Sequence, residues 1–260
     1  MRSAYRRPRI VLPVSVAALL LALVISVAVI ASRSGPEKTG PDPGSTPGTG
    51  TAHSAQEISD LLATLVVAPE IPMTGYSREK FPHWDTDTPG HGFGAQFAQY
   101  STCSTRDVMM LRDAQGPVTL DPKTCDLTVG TGGGWRDQYG VIDRKTGTLA
   151  PYKFITEPRG VDAEHIVALA EAWRSGAATR DENTRRDIAN DAVNLVASDP
   201  SANRSKGDQD VANYLPPGAF RCTYVAHYIT IKVKYALNVD PAEQTALRAA
   251  VTDCARRGGF

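Results

Sequence analysis

The stretch VDAEHIVALAEAW, Val161 to Trp173, decides how this chain is read. It sets an acid and a histidine, Glu164 and His165, side by side in a run whose other members, Ile166, Val167 and Leu169, suit a core. Ionisable groups are costly to bury unless they are paired and hydrogen-bonded. A lone histidine in an apolar run is more often a satisfied core residue. An adjacent acid–histidine pair points instead to chemistry, and the residues downstream decide between the two.

Those residues are NDAVNLVASDPSANRSKGDQDVANYLPP, Asn190 to Pro217. Asn194 precedes a short apolar run, Leu195 to Ala197, and Asn203 opens NRSKGD. An acid–histidine pair on one short strand, an asparagine at the head of a second, and an asparagine entering a turn or helix form one constellation. With its pattern EHIV…N…NRSKGD, the segment resembles the HNH, or ββα-metal, nuclease motif. The likeness is closer to the exported HNH proteins of actinobacteria and to the C-terminal domain of GmrSD-type restriction proteins. It extends through PHW, CSTRDVMMLRD and TCDLTVGTGGGW upstream and CTYVAHYITIKVKYAL downstream, and so spans nearly all of residues 75–254.

The resemblance implies an α+β fold: a ββα-metal (HNH) core at residues 160–217, embedded in additional helices and short strands and stapled by disulfides. It implies a metal-dependent endonuclease, a hydrolase of phosphodiester bonds, acting on DNA ahead of RNA. His165 matches the general base that activates water, and Asn194 the residue that orients the loop and that base. Glu164 and Asn203 match the metal ligands; Lys206, with Arg204 and Arg106, would face substrate phosphate. Histidine titrates near neutrality, so His165 can take a proton from water. Carboxylate and amide oxygens are hard ligands suited to Mg²⁺ or Mn²⁺. One geometric difficulty is visible: adjacent residues on a strand point to opposite faces. Glu164 and His165 then share a site only if the strand bends or the site wraps its edge. Glu164 stands where relatives more often carry Asp, and Ala168 where many carry Pro.

Outside the motif, the N-terminal MRSAYRRPRIVLPVSVAALLLALVISVAVIAS (residues 1–32) carries four arginines ahead of an uncharged run from Ile10 to Ser32. That run is long enough for a transmembrane helix. A signal peptide cleaved near Val29–Ala31 is the alternative. Either places the remainder outside the cytoplasm, extracellular or membrane-anchored, with the N-terminal segment contacting membrane. Residues 33–53, rich in Pro, Gly, Ser and Thr, read as a flexible linker. The nuclease domain is expected over 54–260. Cys103, Cys125, Cys222 and Cys254 allow three pairings, of which Cys103–Cys125 with Cys222–Cys254 is the simplest. No Cys-x-x-Cys spacing supports zinc.

Capping boxes are expected at Ser54–Glu57, Thr179–Glu182 and Asp240–Glu243, the last with Pro241 at the first helical position. Cys222 to Leu237 fits both periodicities, and its length favours a helix. Residues 70–160 read as irregular structure with short strands, and GTGGGW (Gly130–Trp135) as a turn. Asp162 is a surface turn or an outer-shell acid. His53, His83 and His91 receive no role, His227 reads as structural, and Trp135 and Trp173 as core.

The chain has 28 basic and 28 acidic residues, so no global field attracts a polyanion, and nucleic-acid binding must come from a local patch. Arg185, Arg186, Arg204, Lys206, Lys232 and Lys234 are the candidates. G-x-S-x-G and H-E-x-x-H signatures are absent. The rival reading is a catalytically inactive HNH-fold module used for binding at the cell surface.

Overall fold

Capping decides where the helices start. The structure, a computed structural model, describes residues 53–260. Helix α1 (Ala55–Thr64) opens on a reciprocal box between Ser54 and Glu57, and α7 (Pro241–Arg257) on one between Asp240 and Glu243. Each box satisfies donors that a helix N-terminus leaves unpaired. The box expected at Thr179–Glu182 is displaced by two residues. Thr179 closes a 3-10 turn, with its hydroxyl donating to the Gly176 carbonyl. Asp181 caps α4 (Glu182–Asn190) by accepting from the Thr184 amide.

Between α1 and the motif lie α2 (Thr105–Asp113) and two of the three two-stranded sheets found among the described residues. Strand β1 (Val118–Leu120) pairs antiparallel with β2 (Leu127–Val129), and β3 (Trp135–Arg136) with β4 (Phe154–Ile155). Helix α2 was not expected within the irregular stretch; Ser104 caps it by accepting from the Asp107 amide. GTGGGW is a turn leading into β3. A side chain at Gly133 would lie 2.6 Å from the Pro117 carbonyl oxygen, so only glycine fits there.

The third sheet is the hairpin of β5 (Asp162–His165) and β6 (Leu195–Ser198), in unbroken antiparallel register from Asp162 opposite Ser198 to His165 opposite Leu195. Helices α3 (Leu169–Arg174) and α4 lie between its strands in sequence, and α5 (Pro200–Lys206) follows it. Every residue of β6 is buried, because the hairpin separates two apolar clusters. Val196 joins one that contains Ile58, Leu62, Trp173, Tyr224, Tyr228 and Leu247; Leu195 and Ala197 join another with Phe93, Val108, Met109 and Trp135. The ambiguous stretch is helical: α6 (Arg221–Lys234) packs with α1 and α7.

The fold is thus α+β with small antiparallel sheets and two disulfides, Cys103–Cys125 and Cys222–Cys254. The membrane-spanning expectation is corrected: among the described residues no helix is long and apolar enough to cross a membrane. The run from Ile10 to Ser32, on which that expectation was placed, lies outside the described residues, as does the linker up to residue 52.

Candidate active site

Regular pairing fixes the side-chain directions of the hairpin. Asp162 and Glu164 share one face of β5 with Val196 and Ser198, and His165 shares the other with Leu195. No bulge brings Glu164 and His165 to the same face.

Helix α5 covers the Glu164 face, and its i, i+3 spacing lets two residues engage alternate positions of the strand. Asn203 Nδ2 donates to Asp162 Oδ2 at 2.9 Å. Lys206 Nζ donates to Glu164 Oε1 at 2.6 Å and to the His165 carbonyl at 2.9 Å. Burial raises the Glu164 carboxyl above its ordinary range, and the Lys206 charge and hydrogen bond oppose that rise. Asp162 is therefore a strand residue bonded to Asn203, not a surface turn. Lys206 is 0% exposed and spent on Glu164. In this arrangement it braces a carboxylate and cannot face phosphate, contrary to expectation.

On the opposite face His165 donates from Nε2 to the Ala189 carbonyl at 2.9 Å, which leaves the lone pair of the neutral ring on Nδ1. Burial lowers its pKa to about 3, against the Ala189 hydrogen bond, so the ring is neutral at neutral pH and, enclosed as it is here, a weaker base than the near-neutral histidine expected from the sequence. The Trp84 indole stacks on the imidazole at 5.8 Å and 12°, and the side chain is almost wholly enclosed. The positive charge of Arg78 acts on both His165 and Glu164.

Asn194 is fully buried. Its Oδ1 accepts from the Val167 amide at 2.8 Å, and its Nδ2 donates to the Ile188 carbonyl at 2.9 Å. It ties the end of β5 to α4, whose Ala189 holds His165, and its side chain makes no hydrogen bond to His165. Arg106 sits on α2, 3.9 Å from Asp107. The arginine that braces the hairpin is Arg112, which the sequence reading missed: it donates to the Ala192 and Leu195 carbonyls at 2.5 and 2.6 Å. Its neighbour Asp113 accepts from the Ala197 amide. Arg204 is exposed, whereas Lys232 is fully buried between Glu171 and Glu243 and is removed from the phosphate-binding candidates.

A second set of oxygens was not legible in the sequence. Glu70, Glu171 and Asp210 bring carboxylate oxygens within 4.8 Å of one another, a geometry that could hold a divalent cation. Two cations already answer these charges. Arg174 contacts Glu70 at 3.0 Å and Glu171 at 2.8 Å, and Lys232 contacts Glu171 at 2.7 Å. The three acids come from distant parts of the chain, so no local pattern announces them.

Comparison with known proteins bears on this geometry. A family model described as GmrSD restriction endonucleases, C-terminal domain, matches residues 106–250, over half of the chain, including the hairpin and α5. An uncharacterized secreted protein of Arthroderma benhamiae is 35% identical over 237 residues, covering 90% of this chain and 98% of the relative. No solved structure matches.

Proposed function

The chain belongs to the family of GmrSD restriction endonuclease C-terminal domains, and we propose that residues 54–260 form a metal-dependent endonuclease domain of the ββα-metal (HNH) type, acting on DNA. One observation carries the reading. A β-hairpin followed by a helix holds Glu164, His165 and Asn203, the residues that match the HNH motif, within the family's matched region.

The available donors suit a hard cation. Glu164 presents a carboxylate with one oxygen bonded to Lys206, and the Asn203 and Asp162 side chains meet between α5 and β5. All are oxygens, which Mg²⁺ and Mn²⁺ prefer. A bound cation would offset charge on the phosphate and its leaving oxygen. The protein supplies the rest. Ala189 holds the His165 tautomer, so that Nδ1 takes the proton from water. Asn194 fixes the backbone on which that pair depends. Arg78 places positive charge near both faces of β5. Arg204 is available to phosphate.

The relative's description as secreted supports an extracellular location, and the two disulfides fit an oxidising compartment. One observation favours the rival, catalytically inactive reading: the buried Lys206 already neutralises Glu164, and His165 and Glu164 lie on opposite faces.

The test is digestion of supercoiled plasmid, linear DNA and RNA by the purified protein with Mg²⁺, with Mn²⁺ and with EDTA. DNA cleavage is expected only with metal, with a loss of about 10²-fold or more in His165→Ala. Wild-type-level cleavage by that variant at neutral pH would remove His165 from the chemistry. Calorimetry with Mn²⁺ separates the two oxygen clusters. Binding that persists in a Glu164→Ala, Asn203→Ala double variant and is lost in Glu70→Ala, Asp210→Ala would move the metal to the second cluster.

A further inference from the structure

The outer face of α5 lines an open groove of about 460 Å³, bounded by Ser201, Arg204 and Ser205 on the helix and by Val141, Ile142 and Arg144 on the segment between β3 and β4. Both arginines are exposed, and among the described residues neither makes a salt bridge or a side-chain hydrogen bond. The acids nearby are engaged. Asp199 is held by Lys153 Nζ at 2.8 Å, and Asp143 accepts the Lys145 amide at 2.7 Å. Two guanidiniums that have no ion-pair partner among the described residues therefore face one groove of a chain whose formal charges cancel. Guanidinium forks match phosphate oxygens. Ile142, 43% exposed, adds an apolar surface that sugar edges can cover.

We propose that this groove binds the backbone of a nucleic-acid strand, with Arg144 and Arg204 on separate phosphates. Arg204 follows Asn203 on the same short helix, about 100° round its axis, so the groove lies on the other side of the helix that covers the hairpin. The proposal rests on the nuclease reading for its substrate class. It adds Arg144 and the groove, neither of which belongs to the motif.

The test measures binding without cleavage. Fluorescein-labelled single-stranded and duplex oligonucleotides are titrated by anisotropy in EDTA, across a salt series, with the full chain and with Arg144→Gln, Arg204→Gln. Each lost phosphate contact flattens the slope of log affinity against log salt, by about 0.9 for duplex and about 0.7 for single strands. The double variant should therefore flatten it by about 1.8 or about 1.4, with unchanged melting. A control pair on the outer face of α7, Arg248→Gln and Arg256→Gln, should leave the slope in place.

The proposal is overturned if the groove variant keeps the wild-type slope, or if the control pair flattens it equally. It is also overturned if a labelled heparin fragment binds as tightly and with the same dependence on both arginines, which would mark a general polyanion surface. The two readings fail separately. Arginine-dependent binding without any cleavage in metal would sink the nuclease reading and leave the groove standing. Cleavage with arginine-independent binding would do the reverse.

Discussion

Lys206 is the residue whose sequence pattern and position diverge most. Read in NRSKGD, a lysine beside a catalytic motif faces phosphate. In the structure it is enclosed and answers a buried carboxylate. Burial depends on what α5 packs against, and a local pattern does not contain that. The same limit left Asp162 between a surface turn and an outer-shell acid, because its partner Asn203 lies 41 residues away, and it hid Arg112, whose acceptors lie 80 and 83 residues away. Glu164, His165 and Asn194 were legible because their residue types are unusual for their surroundings. The pair gives a direct prediction. Lys206→Met leaves Glu164 buried without its cation, and breaking such a pair costs about 3–5 kcal/mol. Urea unfolding at pH 7 should show a loss of that order. The loss should shrink as pH falls, because an unpaired Glu164 can take up a proton. The double variant Glu164→Gln, Lys206→Met should recover much of the difference. A Lys206→Met variant as stable as wild type at pH 7 would mean that the ammonium is not the partner of this carboxylate.

At the scale of elements, helix starts were the most readable feature, because a cap is a local bargain between one side chain and orphan amides. Ser54 and Asp240 follow it. Thr179 failed because its hydroxyl donates backwards to Gly176 and Asp181 lies closer to the helix. Helix α2 carried the same kind of signal, Ser104 with Asp107 three residues on, and went unread within a stretch dominated by Pro and Gly. The first strand of the hairpin was placed by its acid–histidine pair and the second by a short apolar run, whereas the burial of the second on both faces needed the two clusters to be known. The Cys222–Cys254 bridge joins the first turn of α6 to the last part of α7. Closing a loop with a sequence separation of 32 contributes about 3–4 kcal/mol by chain entropy. Cys222→Ser, Cys254→Ser should accordingly unfold at lower temperature by calorimetry than the oxidised protein. Reductant, which opens the Cys103–Cys125 bridge as well, should lower the wild-type midpoint at least as far. An unmoved midpoint in both arms would show that helix packing alone fixes α6 against α7.

Across the whole molecule, histidines in the fold, His165 buried and His227 half-buried, tie stability to pH. His227 on α6 has its pKa lowered to about 4 by burial, with the Arg112 guanidinium and His53 acting in the same direction and Asp113 and Asp191 opposing. The unfolded ring takes a proton near pH 6.5, whereas the folded one waits until about 4. Between those values the unfolded chain binds more protons, so stability rises with pH. The histidine's contribution is complete above about 6.5 and is lost as pH falls toward 4. Its size is at most about 3 kcal/mol at one pH unit per 1.36 kcal/mol, less where water reaches the ring. His165 acts in the same sense down to about 3. The raised carboxyls of Glu164 and Glu243 act in the opposite sense above their ordinary range, so the total profile does not isolate any one group. The difference between wild type and His227→Gln does. Urea unfolding at pH 7.5, 5.5 and 4.5 should show the variant gaining on the wild type at each step down in pH. Parallel profiles would mean that the His227 ring takes up its proton inside the fold as readily as outside it, which the Phe220 ring packed edge-on against the imidazole argues against.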